Sequence, residues 1–142
     1  MEMFYDASMN TDSFTISIWV KPLSSGSTSA RTVIESNGTN TGYKIYYESN
    51  NRWKFALGTG STYTVLESTI PIVFDDWTHI VGSYDGTTAK LYLNNKLITS
   101  TNMTFSRNTG SVLRFGAGNT TSTTPSNYFI GYLNEFRYYD HE

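Results

Sequence analysis

No cysteine occurs in the 142 residues, which excludes a disulfide framework, a thiolate zinc site and a cysteine nucleophile. Histidine is nearly as scarce. His79 and His141 are the only two, too few for a histidine-rich metal centre. Charge of both signs is thin, at 15% of residues, with 10 Lys and Arg against 12 Asp and Glu. The resulting net charge of −2 gives no electrostatic footprint for nucleic acid or an anionic membrane surface. Apolar runs are far shorter than the roughly 20 residues a bilayer-spanning helix needs, so no membrane insertion is expected. Met1 to Asn10 has neither the basic start nor the apolar stretch of a signal peptide. What the chain does have is aromatic residues, at 15%, and Thr, Ser and Asn, which supply 50 of the 142 positions. Aromatic and β-branched residues suit strands, whereas small polar ones suit turns and a neutral, hydroxyl-lined surface.

Alternation dominates the pattern. Phe14, Ile16, Ile18 and Val20 fall at period two, with Thr15 and Ser17 pointing the other way. Pro22 ends that strand because it donates nothing to a ladder, and a Ser/Gly/Thr loop follows from Ser24 to Ala30. Further strands are expected at Arg31 to Ser36, Tyr43 to Glu48, Arg52 to Leu57, Tyr63 to Glu67, Trp77 to Tyr84, Ala89 to Leu93, Leu97 to Thr101, Val112 to Gly116 and Tyr128 to Tyr139. Asp85-Gly86 and Asn94-Asn95 tolerate positive φ and read as hairpin turns. No window shows a helical apolar stripe. About ten strands at this spacing need two packed sheets. The expected fold is an all-β, antiparallel β-sandwich of jelly-roll type. Residues 1–13 read as an N-terminal lead or edge strand, and residues 14–142 as the sandwich domain.

Four segments in order carry a family pattern: Phe14 to Pro22, Trp77 to Gly86, Lys90 to Leu97 and Gly131 to Tyr139. Together they resemble the laminin G-like domains of the concanavalin A-like lectin/glucanase superfamily. The resemblance implies two curved sheets, and a role in carbohydrate binding or adhesion in secreted or surface-exposed proteins. It also implies structural, core positions for Trp19 and Trp77, and the alternation around Trp53 points that residue inward as well. The chain has Asn94-Asn95 where the family commonly has Asn-Gly, and Asn134-Glu135 where it usually has Asp-Glu. A family-type Ca2+ site is implied with Asp6 and Asn134 as its nucleus. Those two side chains would need carbonyls and waters to reach the roughly 6–8 oxygens that calcium takes.

Catalysis of the glycosidase kind needs two carboxylates, roughly 5–5.5 Å apart for retention and 6.5–9.5 Å for inversion. The glutamates here (Glu2, Glu35, Glu48, Glu67, Glu135 and Glu142) are isolated from one another, and no Glu-x-Asp-x-x-Glu run exists. Gly-x-Ser-x-Gly and His-Glu-x-x-His are also absent. The expectation is therefore a non-enzymatic module. His79 reads as a hydrogen-bonded structural histidine, and Glu135 with Arg137 as a surface ion pair.

Sugar recognition needs flat aromatic faces together with amides and hydroxyls. Tyr46, Tyr63, Tyr92, Tyr128 and Tyr132 sit on mixed strand faces or near strand ends and are the candidate ligand-binding residues. Three sequons occur, at Asn37, Asn102 and Asn119. The leading expectation is an extracellular or surface-exposed module that takes a glycan or protein ligand. The alternative is an attachment domain of a larger assembly, such as a phage or viral fibre, with a homo-oligomer formed through an open sheet edge. A glycoside hydrolase ranks third.

Overall fold

The computed structural model describes residues 1–23 and 29–141. The expected Ser24 to Ala30 loop therefore lies largely outside the described residues. Eleven strands are present among those described: β1 (Glu2–Met3), β2 (Phe14–Pro22), β3 (Arg31–Gly38), β4 (Thr41–Tyr47), β5 (Lys54–Gly58), β6 (Tyr63–Glu67), β7 (Thr78–Tyr84), β8 (Thr88–Leu93), β9 (Lys96–Asn102), β10 (Leu113–Phe115) and β11 (Gly131–Tyr139). One sheet runs β1-β10-β3-β4-β5-β6 and the other β11-β2-β7-β8-β9. Neighbouring strands are antiparallel in both. This is the jelly-roll sandwich that the alternation requires. A short 3-10 helix, Ala7–Met9, joins β1 to β2 and is capped by the Asp6 carboxylate.

The inward set of β2 (Phe14, Ile16, Ile18 and Val20) is buried and packs against Tyr43, Ile45, Phe55, Ile80 and Leu91. Each such side chain contributes about 1.5–3 kcal/mol by leaving water. Phe14 is the aromatic hub, 5.1 Å from the Tyr43 ring and stacked at 5.8 Å on Tyr138. The sheets meet closely at Gly82, where a Cβ would come within 2.8 Å of the Phe55 ring. Burial pushes the Tyr43 hydroxyl far above the ordinary tyrosine range, and it donates to the Met9 carbonyl instead. The β8–β9 turn places Asn94 at φ 49° and Asn95 at φ 65°, the left-handed pair that a two-residue hairpin demands.

The tryptophans divide. Trp53 is buried against Tyr47 in an edge-to-face pair, whereas Trp19 and Trp77 are 37% and 39% exposed. The core positions expected for those two are thus corrected, and the reason is phase. Trp19 falls between Ile18 and Val20, so its side chain leaves the sheet on the side away from the core. There it stacks on His79, whose Nε2 lies 2.7 Å from Ser17 Oγ.

Candidate functional site

The side of the six-stranded sheet facing away from the core carries one continuous row across its strands. Glu2 on β1 opposes Arg114 on β10, which opposes Glu35 on β3, which opposes Lys44 on β4. Signs therefore alternate along the row, and among the described residues Glu2 and Arg114 are the two of the four that close an ion pair. Arg114 is buried in the middle of a short apolar strand. Its Nε donates to Glu2 at 2.6 Å, Nη1 to the carbonyls of Gly118 and Asn119, and Nη2 to that of Ser122. One guanidinium thus uses its fixed fork of donors to hold a loop against the sheet.

That loop comes down on Glu35. The Thr120 N–H and hydroxyl both donate to Glu35 Oε1, at 2.9 and 3.1 Å. Thr120 Oγ1 also lies 2.7 Å from the Asn37 carbonyl and 2.6 Å from Asn37 Oδ1. The approach needs a glycine. A Cβ on Gly118 would fall 2.8 Å from Thr32 Oγ1 and 2.9 Å from Glu35 Oε2. From the far edge, Tyr63 at the start of β6 reaches the end of β3. Its hydroxyl donates to the Gly38 carbonyl at 2.7 Å and accepts from the Asn37 amide at 2.8 Å. Burial raises the Tyr63 hydroxyl above its ordinary value, even though the Asn37 amide donates to it.

Between loop and sheet lies a pocket of about 480 Å3, within the range of small-ligand sites, roughly 300–1,000 Å3. Glu35, Lys44 and Tyr63 line it, with amides and hydroxyls from Asn40, Asn119, Thr121, Ser126 and Asn127. Asn40, Asn119 and Asn127 all adopt left-handed backbone, with φ of 57°, 68° and 55°, a conformation that asparagine accepts more readily than most residues. The Lys44 ammonium sits 4.6 Å from the centre of the Tyr46 ring and 5.4 Å from that of Tyr63. Beside it, Lys54 is held by Glu48 and, at 3.1 Å, by Glu67. Burial alone would lower the Lys54 ammonium, but its bonds to the two carboxylates outweigh that and raise it.

Of the five candidate tyrosines, the structure brings two together, Tyr46 and Tyr63 under Lys44. Tyr46 is only 8% exposed, so its ring is a buried support on this face. Tyr128 lies outside the pocket, with its hydroxyl on the Pro125 carbonyl and its own carbonyl on Arg31. Tyr92 and Tyr132 face away from the core on the other sheet, in register with Val81 and Lys21. Sequence reasoning left Arg114 and Thr120 unnoticed and took Glu35 only as an isolated carboxylate. A guanidinium inside Leu113-Arg114-Phe115 was the available signal.

For calcium, Asp6 Oδ1 accepts from the Ser8 N–H and hydroxyl, and Asn134 Oδ1 from the Glu135 N–H. Among the described residues no group of three or more His, Cys, Asp or Glu gathers to hold a metal. Asp6 Oδ1 and Asn134 Oδ1 are thus each engaged by their own near neighbours, and most of the roughly 6–8 oxygens that calcium takes would have to come from carbonyls and waters. Glu135 itself occupies a bulge of β11 at φ 49°, paired to Arg137 at 3.3 Å. Among the described residues no helix is long and apolar enough to cross a membrane.

Solved structures share this architecture. The heptameric SAP-like pentraxin of Limulus polyphemus superposes with a TM-score of 0.68 at 14% identity, over 93% of this chain and 65% of that one. The receptor-binding domain of botulinum neurotoxin type G gives 0.68 at 20% identity, over 92% and 35%. A structure of botulinum neurotoxin type C, whose cell entry depends on interaction with two ganglioside molecules, gives 0.70 at 19%, over 92% and 33%. The chain thus spans about a third of the toxin chains, and at these identities the likeness is one of fold. No curated protein matches by sequence. The family model for laminin G domains does match, over residues 3–142, and with it the chain belongs to the concanavalin A-like lectin/glucanase superfamily.

Proposed function

We propose that this chain is a non-catalytic carbohydrate-binding module that works outside the cell or on a surface and takes its ligand in the pocket over β3 and β4. The observation that carries this reading is Glu35. It is 4% exposed and lines the pocket, and among the described residues only its Oε1 accepts hydrogen bonds. A carboxylate fixed by the sheet and by Thr120, with its second oxygen open to the pocket, presents a positioned acceptor for a ligand hydroxyl. Glu35 is also the one carboxylate lining the pocket, whereas glycoside hydrolysis uses two. The pentraxin and toxin folds lend support as binding domains. Thr121 is exposed on the pocket rim, so Thr121→Trp fills the site without touching the core. On a broad glycan array the unaltered chain is expected to bind and Thr121→Trp to lose binding while melting at the same temperature. Silence of the unaltered chain across the array would overturn the reading.

A second reading, an attachment domain within a larger assembly, has its own observation. A mainly apolar groove of about 520 Å3 lies between the open sheet edges, lined by Met1, Met3, Met9, Phe115, Leu133 and Phe136, with Asn134 and Glu135 as its polar members. The nine-residue strand β11 forms one of those edges and is open to pairing. Light scattering after size exclusion separates the two, since the assembly reading expects an oligomer.

A further inference from the structure

Resting on the glycan-binding reading, we infer that the pocket selects neutral, polyhydroxylated sugars and rejects anionic ones, with Glu35 and Lys44 as the specificity-determining pair. The two residues are direct cross-strand partners, yet they close no ion pair. Glu35 is nine-tenths buried and spends Oε1 on the Thr120 N–H and hydroxyl. Among the described residues Oε2 accepts nothing, and the only buried side-chain polar atom there without a partner is Ser83 Oγ. The free oxygen therefore opens to the pocket that Glu35 lines. Lys44 likewise rests over two tyrosine rings without a hydrogen bond or ion pair among the described residues. Lys54, by contrast, is consumed by Glu48 and Glu67.

An acceptor of one sign and a donor of the other thus stand side by side, both with capacity to spare. A hydroxyl satisfies either, because it donates to a carboxylate and accepts from an ammonium. Vicinal hydroxyls on one pyranose ring satisfy both at once. A carboxylate or sulfate would satisfy Lys44 only and meet Glu35 with like charge at short range, and a cation would fail in the opposite way. The remaining polar lining, from Asn40, Asn119, Thr121, Ser126 and Asn127, is uncharged and adds no preference for either sign. The half-buried Tyr63 ring supplies an apolar wall for the C–H face of a sugar.

The test uses the full chain and matched glycans, in which each neutral oligosaccharide is paired with its sialylated and sulfated forms on the same core. Calorimetric titration is expected to show the neutral form bound about tenfold or more tighter, the scale of one hydrogen bond to a charged group. Glu35→Gln keeps an oxygen for Thr120 but turns the free acceptor into a donor. It is expected to lose about tenfold on neutral glycans and to gain binding to the acidic ones. Lys44→Gln is expected to weaken neutral binding without that gain. Should Glu35→Gln fail to fold, Lys44→Gln and the matched-pair comparison carry the test. A preference of the unaltered chain for acidic glycans would overturn the inference and leave the glycan-binding reading standing. Neutral binding indifferent to both substitutions would also overturn it. No binding to any glycan, neutral or acidic, would overturn that reading and the inference with it.

Discussion

The two outward faces of the sandwich handle polar and aromatic groups in opposite ways. On the six-stranded sheet the charged groups are held in place, although Glu35 Oε2 and Lys44 keep capacity for a ligand. Arg114 and Glu35 are buried, and a loop is fastened over them by Thr120. On the five-stranded sheet the rings are bare. Trp19, Trp77 and Tyr132 are exposed there, with Lys21 and Asn134 paired among them. One face fixes its groups by hydrogen bonds and leaves a shaped hollow. The other leaves large side chains partly to water, with Trp19 held by stacking on His79. A site for a small ligand needs the first arrangement, because donors and acceptors must already be in position before the ligand arrives.

The contrast is open to measurement. Replacing Arg114 by Met removes its bonds to Glu2 and to three loop carbonyls. Those of Gly118 and Asn119 keep the N–H groups of Ser126 and Ser122, while that of Ser122 loses its donor. Urea unfolding should register a loss of about 2–3 kcal/mol, the scale for hydrogen bonds made by a charged group, since the Glu2 left behind is exposed to water. A loss below about 1 kcal/mol would mean that the loop is held by something else. Thr120→Val keeps the side-chain shape and removes the hydroxyl. Here about 1–2 kcal/mol of stability should go, and amide exchange should speed up between Gly118 and Asn127. On the opposite face, Trp19→Ala should cost less than about 1 kcal/mol, whereas Trp53→Ala in the core should cost about 3–5 kcal/mol. Equal costs for the two tryptophans would erase the distinction between the faces.

The smallest effect concerns acid. Asp85, in the β7–β8 turn of the five-stranded sheet, accepts N–H bonds from Thr88 and Thr87 and the Thr87 hydroxyl, which hold its carboxyl at about 2. A folded-state value below the ordinary 3.8 means that the ionised form favours folding. The benefit is complete above the ordinary value and disappears as pH falls toward 2. Melting temperature measured from pH 6 down to pH 2 should therefore fall less steeply for Asp85→Asn than for the unaltered chain. Parallel curves would exclude Asp85 as a contributor.

Strand-by-strand architecture was legible because period-two alternation is a local property. Phe14, Ile16, Ile18 and Val20 announce their face whatever they pack against. The same rule, applied strictly, also places Trp19 outside, and the family pattern pointed the wrong way at that position. The pocket was much less legible. Glu35 and Thr120 are 85 residues apart, and no short-range signal links them. Tyr63 and Asn37 meet only because four strands stand in one register. Tyr46 and Lys44 were readable as a mixed polar and aromatic face, since they lie on one strand two residues apart. Lys44 closes no ion pair among the described residues although Glu35 is its cross-strand partner, while Lys54 takes Glu48 and Glu67. That difference depends on how Thr120 from a distant loop engages Glu35, which composition does not reveal.

The Asn37 side chain has a practical consequence for producing this protein. Its amide is enclosed between Thr120 and Tyr63, yet Asn37-Gly38-Thr39 is a sequon. In a secretory eukaryotic host the acceptor would be offered while the chain is still unfolded, and an attached oligosaccharide could not be seated in the finished domain. Yield in such a host should then depend on an exposed residue remote from the core. Thr39→Ala would erase the signal and leave the Asn37 amide free to make its bonds.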